Sequence, residues 1–134
     1  MVSDNVIKHL EMLQGVINRM AHNSFLLKGW TVTLAAASFW LLGRDELPSG
    51  GKLGIMIVVA VFWGLDGYFL RQERLFRALY NRVRLRENTD FSMDISPIAG
   101  DVPSWTDTCI GDICKPNTIF VFYGMIGLAI LIIL

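Results

Sequence analysis

The chain has 134 residues, of which 53% are hydrophobic and 18% are charged, against roughly 25% charged in an average soluble domain. Twelve Lys and Arg balance twelve Asp and Glu, and the mean hydropathy is +0.46. This excludes a disordered chain, a uniformly basic nucleic-acid binder and an acidic tail protein, and the length allows one domain.

The opening segment, 1–23, is amphipathic. Val6, Leu10, Leu13, Ile17, Met20, Ser24 and Leu27 recur at spacings of four and three, with Lys8, Glu11, Gln14, Asn18 and Arg19 opposite. This heptad spacing fits a helix lying on a membrane or on its own monomer, or a short bundle between protomers. His9 and His22 are thirteen apart, which is not ligand spacing on one helix face, so they read as ordinary surface or capping residues. No cleavable leader is expected, because the first apolar run begins only after this helix.

Three apolar runs follow, at 24–42, 53–70 and 117–134. Each approaches the ~20 residues that cross a bilayer core. The first carries one charge, Lys28, the second one, Asp66, and the third no side-chain charge. The stretch GRDELPSGGK at 43–52 predicts a tight turn between the first two runs, and Pro116 fits a helix start before the third. The expected fold is a single all-α integral membrane domain. It has an amphipathic N-terminal helix (1–23), a transmembrane hairpin (24–42 and 53–70) with a cytoplasmic basic helix (71–88), an acidic loop (89–116) and a third transmembrane helix (117–134). Nine Lys and Arg flank one side, against Arg44 and Lys52 in the turn, so the amino terminus and 71–116 are expected in the cytoplasm.

Lys28 lies fourteen residues before the end of the first run and Asp66 thirteen after the start of the second. In an antiparallel hairpin both sit ~6 Å inside the cytoplasmic boundary. Opposite charges at one depth offset the cost of placing either in hydrocarbon. The pair reads as a register-fixing ion pair or as part of a polar pathway. Three spans have too little wall to enclose a pore, so conduction requires a homo-oligomer, expected as a tetramer or larger.

The second run continues without a breaker into six arginines: Arg71, Arg74, Arg77, Arg82, Arg84 and Arg86. Arginine pairs two-fold with phosphate or carboxylate. Three readings follow: contact with membrane lipid headgroups, neutralisation by the acidic loop (Asp90, Asp94, Asp101, Asp107 and Asp112 against Lys115), or a phosphate-bearing ligand such as a nucleotide or single-stranded oligonucleotide. Phe91 and Trp105 are the expected anchors of that loop. Cys109 and Cys114 form a C-x4-C pair with no nearby histidine, too few ligands for zinc, and read as free thiols. The sequence holds no phosphate-binding glycine loop, zinc-protease motif or nucleophile elbow. No enzyme activity, metal or cofactor is expected.

The hairpin at Leu26–Leu70, its preceding amphipathic helix and its basic continuation resemble small bacterial membrane effectors of anti-phage defence, the two-span SLATT-like class and the Hailong-type transmembrane effector. NSFLLKGWTVTL (23–34) and FWGLDGYFLRQERLFRALY (62–80) carry the likeness. The third run departs from a plain two-span pattern. The resemblance implies an oligomeric pore in the bacterial inner membrane, gated by a nucleotide or oligonucleotide from a cytosolic signal-producing enzyme, with the arginines at 71–86 facing the signal. A non-conducting scaffold that recruits a cytosolic partner, or a small transporter subunit, are the alternative functions.

Overall fold

The structure, a computed structural model, describes residues 3–42, 49–111 and 118–133. Of the turn expected at 43–52, residues 43–48 lie outside the described residues, as do Cys114 and Pro116, while 49–52 already belong to a helix. Four α-helices are present: α1 (Asp4–Leu42), α2 (Ser49–Val83), α3 (Trp105–Ile110) and α4 (Thr118–Ile133), with a 3-10 turn at Ser96–Ile98. The described residues contain no strand.

α1 and α2 form a long antiparallel hairpin. Ser3 starts α1, its Oγ accepting the Val6 N–H at 3.4 Å, as an N-cap side chain does. No break separates the amphipathic segment from the apolar run, so 4–42 is one rod. The heptad stripe faces α2 of the same chain. Val6 and Leu13 are buried with Leu75, Leu79, Val83 and Ile98 in one core. Each such side chain, once buried, contributes ~1.5–3 kcal/mol. This intramolecular packing occupies the face that a bundle between protomers would have used.

The second core lies toward the other end of the hairpin. Ile119, Tyr123 and Ile130 of α4 pack with Val59 of α2. Among the described helices, one is long and apolar enough to cross a membrane by length and composition, Leu53–Val83, with 31 residues. α4 is apolar but has 16 residues, ~24 Å by helical rise. The apolar run in α1 is diluted by Ser24, Lys28, Thr31, Thr33 and Ser38.

The basic helix is shorter than expected, because α2 ends at Val83 rather than near Asn88. Val83 is the last buried residue of the packing stripe, and Leu85 is 80% exposed. Beyond Val83 no apolar surface rewards another helical turn.

The acidic segment is ordered by its own side chains. Thr89 Oγ1 accepts the Phe91 N–H, Asp90 Oδ1 the Ser92 N–H, Ser92 Oγ the Asp94 N–H and Asp94 Oδ1 the Ser96 N–H, at 2.9–3.3 Å. Such turns satisfy backbone donors without a helix or sheet. Phe91 sits in the left-handed region at φ 55°, with its ring 5.6 Å from that of His9. Ser104 caps α3 in a reciprocal capping box with Asp107, and Gly111 at φ 77° ends it.

Backbone N–H donors to Asp90 lower its carboxyl below the usual range, with Arg86 adding to the effect, and Ser96 does the same for Asp94. A carboxylate depressed in the folded state stabilises the fold above its unfolded value and loses that contribution as pH falls through the folded one. The 89–96 turns should therefore persist down to the ordinary carboxylate range and open below it. Amide NMR signals of Ser92 and Ser96 should move together in that acid window, while those of α1 near Leu13 hold.

Candidate functional site

The hairpin builds a polar node where α1, α2 and α4 meet. Asp66 on α2 is fully buried, and Lys28 on α1 places Nζ 2.5 Å from its Oδ2, with the lysine side chain 27% exposed. Ser24, one turn before Lys28, donates its hydroxyl to Asp66 Oδ1 and accepts from Lys28 Nζ at 2.8 Å. The charged group thus has an ion pair on one oxygen and a hydrogen bond on the other, as burial of a carboxylate requires. Thr31, one turn further along α1, bonds Leu27 O at 2.7 Å and reaches Tyr123 OH of α4 at 3.5 Å. Ser24, Thr31 and Tyr123 join Lys28 and Asp66, which sequence depth alone had singled out. Ser24, Lys28 and Thr31 fall at i, i+4 and i+7 along one side of α1, a signal that the sequence does contain. Tyr123 comes from a distant helix and has no such signal.

α3 clasps this node. Trp105 Nε1 donates to Gly64 O at 3.1 Å and Trp63 Nε1 donates to Cys109 O at 3.0 Å. Two indoles thus reach across in opposite directions. Gly64 and Gly67 make the approach possible: a Cβ on Gly67 would overlap Cys109 Sγ, and one on Gly64 would meet the Trp105 ring at 3.4 Å. The expected span at 53–70 is therefore covered by α3 along its last turns. Burial raises the Cys109 thiol above its ordinary value, and the Asp66 charge adds to this. The thiol is thereby kept protonated and unreactive.

Gly67→Ala should destabilise the protein by about 1–3 kcal/mol through overpacking, less what alanine returns in helix propensity. Cys109→Ala in the same chain should recover most of that loss. Thermal melts of the two single variants and the double variant in detergent check it.

The six arginines do not form one patch. Arg82 pairs with Asp101 at 3.2 Å and Arg71 Nε donates to Pro103 O at 3.3 Å, both toward the 89–111 segment. Arg77 pairs with Glu73 at 2.8 Å, one turn back on α2. The guanidinium groups of Arg74, Arg84 and Arg86 have no hydrogen-bond or ion-pair partner among the described residues. Arg77 also lines a cavity of about 220 Å³ with Gln14, Ile17, Tyr80 and Asn81. Arg82 and Arg86 line another, of about 150 Å³, that includes His9.

His9 is the clearest correction to the sequence reading. It is 1% exposed rather than on the surface. It lies three residues after Val6 and four before Leu13, on the buried side of α1, and its Nδ1 shares a hydrogen bond with Thr89 Oγ1. The described residues hold no group of three or more His, Cys, Asp or Glu arranged for a metal. The chain matches no known protein family, curated protein or solved structure.

Proposed function

We propose that the chain is the subunit of a homo-oligomeric membrane pore, an effector of the bacterial inner membrane gated from the cytoplasmic side. Three spans are proposed, formed by the apolar parts of α1 and α2 and by α4, with the amino terminus in the cytoplasm. The observation that carries this reading is the Ser24–Lys28–Asp66 node inside a hairpin that is otherwise apolar on the outside. Phe25, Trp30, Trp40, Ile57, Val61, Met125 and Leu131 are all large, apolar and exposed. A surface of that kind requires lipid or neighbouring subunits. A charged cluster at one depth within it supplies a polar stepping point for ions once subunits surround an axis.

Gating is assigned to the tier formed by the first half of α1 and the last half of α2. α2 runs unbroken for 35 residues from the apolar part into the arginines. The Arg77 cavity offers a guanidinium, the Tyr80 ring and the amides of Gln14 and Asn81. Those groups suit a phosphate, a stacked base and its polar edge. A nucleotide or oligonucleotide signal from a cytosolic enzyme, acting in anti-phage defence, is the ligand this reading favours. It would shift the assembly between two packings of the subunits.

Purified protein in liposomes should pass monovalent ions in one ligand state and not the other. Arg77→Glu with Tyr80→Ala should remove the ligand response and leave assembly intact. An intact oligomer that passes no ions in any ligand state would instead favour the scaffold. The scaffold gains support from one feature, the engagement of Arg71 and Arg82 by the acidic segment.

A further inference from the structure

The tier holds a second cavity, on the side of the acidic segment, which belongs to neither the node nor the Arg77 groove. Its volume of about 150 Å³ has room for roughly five water molecules at ~30 Å³ each. Three separate stretches of chain wall it: His9 from α1, Arg82 from the last turn of α2 with Arg86 just past it, and Asp90 and Asp94 from the turn segment. His9 is buried, its Nδ1 is engaged by Thr89, and its Nε2 has no partner. A buried ring nitrogen left without a partner carries a desolvation cost that an incoming polar atom removes.

The wall presents two cations and two anions. A lone anion is repelled by the carboxylates, and a metal ion by the guanidiniums. A small molecule bearing both signs meets neither objection. We propose that this cavity binds a small zwitterion of the α-amino acid class. Its carboxylate pairs with Arg86, whose guanidinium has no hydrogen bond or ion pair among the described residues, and its ammonium lies by Asp90 and Asp94. A polar atom of the ligand satisfies His9 Nε2. A zwitterionic lipid headgroup carries the same charges but is too far away: His9 lies nineteen residues before Lys28, ~28 Å along α1. The occupant is therefore a cytosolic solute. Its binding would tie α1 to the acidic segment, independently of whether the assembly conducts ions.

The test uses the full chain in detergent micelles. Glycine, L-serine, L-glutamate and L-lysine are titrated separately by calorimetry at millimolar concentration, with ring-labelled histidine followed by NMR. Inorganic phosphate and calcium chloride serve as comparison probes. At least one amino acid should give saturable heat and shift the His9 ring signals but not those of His22. Arg86→Gln, at an exposed position past the end of α2, should weaken that binding at least about tenfold, the effect of removing one charged hydrogen bond. Asp90→Asn should also weaken it, and Arg19→Ala on the far side of α1 should not. The proposal fails if no amino acid saturates, if phosphate or calcium alone binds, or if binding survives both Arg86→Gln and Asp90→Asn.

Discussion

Asp66→Leu should cost the protein about 3 kcal/mol, the lower end of what breaking a buried ion pair costs, because the lysine left behind is partly exposed. Lys28 would keep only Ser24 as a partner. Lys28→Met together with Asp66→Leu should return stability to within about 1 kcal/mol of the native chain, since a buried pair replaced by apolar groups of similar volume is close to neutral. Thermal unfolding of the three variants in detergent reads this directly. The double variant also separates two roles of the node. If the pair has no part in conduction and apolar packing can stand in for it, the double variant assembles and conducts as the native protein does. If the pair lines a conduction path, it assembles normally and its ion flux in liposomes is lost. A double variant as unstable as the single would mean that neither role rests on charge pairing.

Leu75→Ala should destabilise the tier by about 2–5 kcal/mol. Leu75 is buried in the same cluster as Val6, Leu13, Leu79 and Val83, so truncating it opens a cavity in the core of the tier. The effect should be local. Hydrogen exchange should quicken over the first half of α1 and the last turns of α2. The apolar halves of both helices, held by the second core around Val59, Tyr123 and Ile130, should keep their protection. Leu85→Ala, at a residue that is 80% exposed, should change stability by no more than about 0.5 kcal/mol. The contrast between Leu75 and Leu85 also tests whether packing, rather than charge, sets where α2 stops.

Much of this architecture was legible in the residues. The four-and-three spacing from Val6 to Leu27 gave the buried side of α1, and the absence of a breaker after Leu70 gave the continuation of α2. Counting residues from the hairpin turn put Lys28 and Asp66 at one level. What escaped was set by tertiary partners. His9 looked solvent-facing because imidazole is polar, yet its place between Val6 and Leu13 on one side of α1 buries it once Thr89 supplies an acceptor or donor. The end of α2 depended on where the opposing surface of α1 begins, which Arg84 and Leu85 do not encode locally. The alternation of Asp90, Ser92, Asp94 and Ser96 signalled consecutive side-chain turns, and Ser104 three residues before Asp107 signalled the cap of α3. Both lay in a segment read only as an acidic loop. The division of the arginines between two sides of α2 follows from helical period: Arg71 and Arg82 are eleven residues apart and share a side.

The continuity of α2 through Asp66 has a mechanical consequence. From Asp66 to Val83 the rod extends ~26 Å, with no proline, and no glycine beyond Gly67, to absorb bending. A tilt of ~10° pivoting at the α3 clasp would swing its far tip by ~4–5 Å, a distance comparable to one helical turn. α2 is thus a lever whose fulcrum is the contact of Gly67 with Cys109, and a modest displacement at the long arm becomes a sub-ångström adjustment beside the carboxylate.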